Sequence, residues 1–170
     1  KLWTKAEAGK CMAKLVPYVD VLIANEEDVA KVLGIKAKNT DVESGKLDRE
    51  GYISVAEQVS REFGIKYIAT SLRKSISASD NDWGAMLYAD GKAYFSKEYH
   101  IHMVNRVGGG DSFAAGLIYG LLKDFDSQDT IEFAAAASCL KHTIFGDFNQ
   151  VTVAEVENLM KGDGSGRVSR

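Results

Sequence analysis

The sequence predicts an α/β fold: a mostly parallel sheet with helices on both faces and an antiparallel hairpin near its edge. Three observations predict it. From Thr4 to Thr70 the apolar period alternates between helix and strand, the pattern of parallel β/α units. Asp90-Gly91 separates two β-rich runs, a strong signal for a tight hairpin. Finally, an extended run leads into Val107-Gly108-Gly109-Gly110-Asp111, which opens at once into an apolar helical pattern.

The elements follow in order. Thr4-Lys5-Ala6-Glu7 reads as a capping box opening a helix to about Val16. Val19 to Ala24 is a short β-rich run. Asn25 can cap a helix from Glu26 to about Leu33, closed by Gly34. Lys36 to Glu50 is polar without a clear period and reads as a surface insertion. Tyr52 to Phe63 is helical and stops at Gly64, and Ile65 to Thr70 is apolar enough for a strand buried on both faces.

Ser71 to Asp82 is rich in hydroxyls and turn formers and reads as a loop. Gly84 to Tyr88 and Lys92 to Phe95 form the hairpin arms, and Tyr99 to Val104 is a further extended run. After the glycine turn and its helix, Ile131 to Ile144 is a second apolar helix. Thr152-Val153-Ala154-Glu155 is another capping box, opening a last helix to about Met160. Residues 163–170 read as a flexible tail behind a domain of residues 1–162.

Composition narrows the function classes. The chain has 170 residues, 45% hydrophobic and 26% charged, ordinary values for one soluble domain. A net charge of -3 gives no basic excess for nucleic acid. No apolar run approaches the roughly 20 residues that span a bilayer, and the start has no signal-peptide pattern. Cys11 and Cys139 are far apart and at no metal spacing. A reducing, cytoplasmic setting is the expectation.

The chemistry concentrates in Gly108-Gly109-Gly110-Asp111. Glycines can expose several backbone N–H groups on one side of a turn. The first N–H groups of a helix lack internal partners, and the helix dipole adds positive character there. Such a place suits an anion, most often phosphate. Asp111 would repel a phosphate unless a proton or hydroxyl lies between them, the geometry of a base that deprotonates an attacking alcohol. A plain turn with an acidic first-turn residue fits the same letters. The pattern is neither Gly-x-Gly-x-x-Gly nor a Walker A loop.

Asn105-Arg106-Val107-Gly108-Gly109-Gly110-Asp111-Ser112-Phe113 resembles the C-terminal signature of the ribokinase-like (phosphofructokinase B) sugar kinases. Asn25-Glu26-Glu27-Asp28, Thr70-Ser71-Leu72-Arg73 and Lys141-His142-Thr143 to Gly146-Asp147-Phe148 resemble further elements of that family. The glycine turn, the Ser71–Asn81 stretch and Gly146-Asp147-Phe148 together are most similar to the 2-dehydro-3-deoxygluconate kinases. The resemblance covers essentially the whole chain, and nothing in it matches the family's N-terminal sugar-recognition strands or lid. The chain therefore resembles the C-terminal, nucleotide-binding half of such a kinase.

That resemblance implies an ATP-dependent phosphorylation of a sugar acid, 2-dehydro-3-deoxy-D-gluconate above all, to its 6-phosphate. Another sugar or nucleoside, or a non-catalytic nucleotide-binding fragment, is the alternative. Asp111 would be the base, and the amides of Gly108, Gly109 and Gly110 the anion hole. Asn25, Ser71, Arg73, Ser75, Gly108, Gly110 and His142 would meet the nucleotide. Asp111 and Asp147 would meet the sugar. Mg²⁺ would arrive with ATP, reached by Asp28 through water, and K⁺ is a further candidate. The implied partners are the sugar acid and ATP, with no nucleic acid and no membrane. An incomplete sheet would expose strand edges, which favours a homo-oligomer, and the isolated half is expected to be inactive.

Several of these residues have a second reading. Asn25 can be only a helix cap, Arg73 a solvated loop charge and Asp147 a solvated loop carboxylate. His142 can be a structural helix residue, part of an adenine pocket or a metal ligand. Two positions depart from the family pattern. Asn105 stands where the family usually has Asp, and Asp28 where it has Glu.

Overall fold

A computed structural model describes residues 3–25, 28–35 and 49–162. The chain divides into two compact units, one of residues 1–74 and 86–94 and one of residues 75–85 and 95–170.

In the first unit, helix α1 (Lys5–Leu15) begins on the expected capping box: Thr4 accepts from the Glu7 amide, and the Glu7 carboxylate accepts from the Thr4 amide. A 3₁₀ turn, Val16–Tyr18, leads to strand β1 (Val21–Ile23). The next helical segment, Val29–Leu33, is π-helical rather than an ordinary α-helix and ends at Gly34, whose φ of 75° suits glycine. Helix α2 (Arg49–Phe63) begins three residues earlier than the apolar pattern indicated, because its first turn is polar. Arg49 and Glu50 thus belong to α2, while the rest of the polar insertion lies outside the described residues. Beyond α2 the chain enters strand β2 (Tyr67–Ser75). Val21, Leu22 and Ile23 pair in parallel with Tyr67, Ile68 and Ala69, so β1, α2 and β2 form a β-α-β unit.

The loop expected over Ser71–Asp82 is largely strand. Strand β2 runs on to Ser75, and strand β3 (Asp80–Ala89) starts after four intervening residues. Alternation is the reason: Leu72 points inward and is buried while Arg73 is exposed. The outward polar residues masked the period-two pattern. Ser77 makes the turn, its amide bonding to Asp80 O and its hydroxyl to the Asp80 carboxylate.

The hairpin is where the sequence placed it. Strand β4 (Lys92–Phe95) follows β3 through Asp90 and Gly91, both at positive φ (50° and 75°), as a two-residue primed turn demands. Strand β5 (Tyr99–His102) pairs antiparallel with β3, Asp80 opposite His102 and Trp83 opposite Tyr99. The strand order is β1-β2-β3-β4, with β5 on β3, so the sheet is mixed.

The second unit is dominated by helices α3 (Gly109–Leu122) and α4 (Ser127–His142). A Cβ on Gly116 would meet Ala134 Cα at 2.9 Å, and one on Gly120 would meet Thr130 at 3.0 Å. Small residues thus let the two backbones approach closely. Helix α4 starts four residues before the apolar pattern, on an Asp126 cap that accepts from the Asp129 amide. Helix α5 (Val153–Lys161) carries the second capping box, on Thr152 and Glu155, and stops at Gly162. The expected tail lies outside the described residues. No described helix is long and apolar enough to cross a membrane.

Candidate active site

The glycine turn is anchored before it begins. Past β5, the amides of Val104 and Asn105 both donate to His142 O, at 2.8 and 3.3 Å. Asn105 Oδ1 then accepts from the Val107 amide at 2.9 Å, a side-chain turn that bends the chain toward α3. Arg106 Nη2 donates to Ala78 O in the β2–β3 turn.

Gly108 is the N-cap of α3, with φ 82°. Only glycine is comfortable there, and a Cβ would fall 2.0 Å from Asp147 O. The three glycines differ in position. Gly109 and Gly110 already belong to the first turn of α3. The Gly109 amide faces Arg106 O at 3.3 Å, and Ser112 N bonds to Gly108 O at 2.9 Å. The amides of Gly110 and Asp111 have no acceptor among the described residues. The space a Gly110 Cβ would enter is open within 4 Å. Asp111 is exposed, and its carboxylate has no partner among the described residues. Free amides, open space and an unengaged carboxylate therefore coincide at one helix start.

The turn is braced from below by α4. Ser138 Oγ donates to Gly109 O at 2.8 Å, inside the protein. His142 Nδ1 lies 2.7 Å from Ser138 O. A carbonyl only accepts, so Nδ1 carries the proton. The imidazole sits under Gly109, where a Cβ would meet Nε2 at 2.3 Å, and Trp83 packs edge-on against it at 4.6 Å. His142 is 3% exposed. The ring props the turn, a structural role that stands beside the nucleotide contact the resemblance implies.

Lys141 is fully buried, and its Nζ donates to Gly146 O at 2.7 Å, holding the Gly146–Asp147 loop on Gly108. Asp147 contributes its backbone to that contact and leaves its side chain exposed. Ser138 is a supporting residue that sequence reasoning missed, and Lys141 one that it quoted within a motif without a role of its own. Their signal was polarity at helical spacing with His142 inside an otherwise apolar helix.

The other expected residues have local roles. Asn25 and Asp28, in the first unit, cap each other: the Asp28 amide donates to Asn25 Oδ1 at 2.8 Å, and the Asn25 amide faces Asp28 Oδ2 at 3.4 Å. Ser71 and Arg73 lie on β2, with Arg73 exposed. Ser75, at the end of β2, donates its hydroxyl to Asn81 Oδ1 at 3.2 Å. Asn81 is fully buried, and its Nδ2 has no partner among the described residues.

The residues fit a phosphate better than a metal. Two free amides at an open helix start suit an anion. No three His, Cys, Asp or Glu side chains among the described residues gather into a cation site. A groove of about 430 Å³ between Phe125, Glu132 and Lys161 lies elsewhere in the second unit.

Residues 1–150 match the pfkB family carbohydrate kinase model. The chain belongs to that family. A 2-dehydro-3-deoxygluconokinase from Thermotoga maritima superposes with a TM-score of 0.88 at 53% identity, over 95% of this chain and 48% of its own. A 2-dehydro-3-deoxygalactonokinase from Haloferax volcanii is 26% identical over 98% of this chain and 46% of its own length. A 5-dehydro-2-deoxygluconokinase from Clostridium botulinum is 27% identical over 86% of this chain and 44% of its own length. An Escherichia coli protein described as a putative ribokinase II, in complex with ATP and Mg²⁺, shares the fold at 18% identity with a TM-score of 0.65. The chain spans about half the length of the relatives it matches.

Proposed function

We infer that this chain is the phosphate-handling half of an ATP-dependent sugar-acid kinase. The observation that carries the reading is the start of α3, where the unpartnered amides of Gly110 and Asp111 adjoin the unengaged Asp111 carboxylate. The Thermotoga maritima likeness, at 53% identity, supports 2-dehydro-3-deoxy-D-gluconate as the sugar and its 6-phosphate as the product. The dehydro-deoxy sugar acids named for the other relatives support the same chemical class.

Asp111 takes the proton of the attacking hydroxyl. The new bond joins that oxygen to the γ-phosphorus, and the bond from phosphorus to the β–γ bridging oxygen breaks. The amides at the start of α3 hold the charge on the phosphoryl oxygens, aided by the α3 dipole. Positioning and charge stabilisation carry most of the catalysis in such transfers. ATP supplies the phosphoryl group, and Mg²⁺ comes with it. Asn25, Ser71, Arg73 and Ser75 complete the proposed nucleotide contacts and Asp147 the sugar contacts. Asp28 is the proposed water-mediated approach to the metal.

The test is ADP release by the full-length protein with Mg-ATP and a panel of 2-dehydro-3-deoxy and 5-dehydro-2-deoxy sugar acids, ribose and inosine. The reading expects turnover with a dehydro-deoxy sugar acid. Preference for ribose or inosine would move it to another branch of the fold, and no turnover with any of them would reduce the chain to a nucleotide-binding module.

A further inference from the structure

Lys141 carries the strongest observation that the kinase reading leaves unused. The side chain is completely buried, yet its ammonium has a single acceptor among the described residues, Gly146 O. A lysine presents three donors, so two have no partner among the described residues. No carboxylate among the described residues pairs with it. A buried charge without a counter-charge is costly and rare. The C-terminal end of the α4 dipole offsets part of that cost.

The position of this charge matters more than its burial. Lys141 Cε lies 3.1 Å from where a Gly108 Cβ would stand, so the stem runs along the cap of α3. The stem thus passes the Gly108 cap and delivers the ammonium to Gly146 O, on the loop that packs against that cap. A part needed only for packing could be an apolar side chain of the same length, with no charge to desolvate. A positive charge there makes physical sense when an anion sits in front of it.

We propose that Lys141 is the fixed counter-charge of the phosphate turn, a positioning residue that acts through the loop and cap it braces. The proposal rests on the reading of that turn as the phosphoryl site. The Lys141 charge adds to the positive end of the α3 dipole that faces the transferred group. The attraction strengthens as charge develops on that group, so its loss lowers kcat more than it raises KM for the sugar.

The experiment uses the full-length protein with Lys141→Met and Lys141→Ala. Lys141→Met is expected to lower kcat about 10²–10³-fold, the usual effect of losing one preorganised electrostatic contact, with little change in sugar KM or melting temperature. Methylammonium is expected to restore part of the rate of Lys141→Ala, whereas methanol, similar in size but uncharged, is not. A kcat for Lys141→Met close to wild type, or rescue by methanol equal to that by methylammonium, overturns the proposal. If Lys141→Ala does not fold, the kcat of Lys141→Met decides. If the wild-type protein turns over no sugar, the kinase reading fails separately, and binding of inorganic pyrophosphate decides: equal affinity in wild type and Lys141→Met overturns the counter-charge.

Discussion

The imidazole of His142 occupies the space that a side chain on Gly109 would need, with Nε2 2.3 Å from the Cβ position. Glycine at 109 is thus a matter of room. The left-handed conformation belongs to its neighbour Gly108, at φ 82°.

Gly109→Val should therefore destabilise the protein as well as slow it. Overpacking a filled site costs about 1–3 kcal/mol, and the ring has Trp83 at its edge to prevent easy retreat. Thermal melts of Gly109→Ala, His142→Ala and the double variant provide the check. The two single losses should be non-additive, with the double variant recovering stability. Strict additivity would show that the ring and the turn are independent.

Asp111→Asn should leave ATP affinity nearly unchanged and lower kcat about 10²–10⁴-fold, the usual cost of losing a positioned general base. Titration calorimetry and steady-state ADP release on the full-length protein separate the two. Near-normal turnover would return Asp111 to the role of a first-turn acid that merely suits the helix dipole.

Ser138→Ala removes a second donor to Gly109 O, which keeps its helical partner, the Phe113 amide. The loss is that of one hydrogen bond, about 0.5–1.5 kcal/mol. The urea midpoint should fall accordingly, and the rate should fall too because the turn loses a brace. A midpoint and rate unchanged from wild type would mean that this bond does not brace the turn.

Asn105→Asp tests the K⁺ idea. A carboxylate oxygen can accept from the Val107 amide as the Asn105 amide oxygen does at 2.9 Å, so the turn should survive. The variant adds one negative charge near the anion site and should gain a rate response to K⁺. Superimposable K⁺ titrations of the two proteins would dismiss a cation site there.

Acid should loosen the start of α5. The Thr152 amide, followed by its hydroxyl, hydrogen-bonds the Glu155 carboxylate and holds its pKa below the ordinary value of 4.5. A carboxyl depressed on folding stabilises the fold above its unfolded pKa, and that contribution fades as pH falls through the folded value. Amide exchange at Thr152, corrected for intrinsic rates, should therefore accelerate below pH 4.5. Glu155→Gln should flatten that dependence.

What was legible in the sequence was mostly local. The Thr4–Glu7 and Thr152–Glu155 boxes and the Asp90-Gly91 turn close over three residues or fewer, so their chemistry is written in adjacent letters. Strand β2 was read too short because Arg73, Lys74 and Ser75, its last three residues, are polar and exposed. The first turn of α4 was lost because a capped polar start has no apolar period. At the site, the glycines and Asp111 were visible, but their supports were not. Ser138 meets Gly109 across 29 residues of sequence, and only the packing of α3 on α4 brings them together. His142 was visible as a residue, but its burial under Gly109 was not.

The spacing of Ser138, Lys141 and His142 has a consequence for anyone rebuilding this protein. The three reach the turn from one side of α4, and each residue of a helix adds about 100° of rotation and 1.5 Å of rise. Inserting or deleting a single residue between Ser138 and His142 would swing at least one prop away from the glycines. The register between the two helices is therefore fixed by the turn they share, and neither helix can be exchanged without the other.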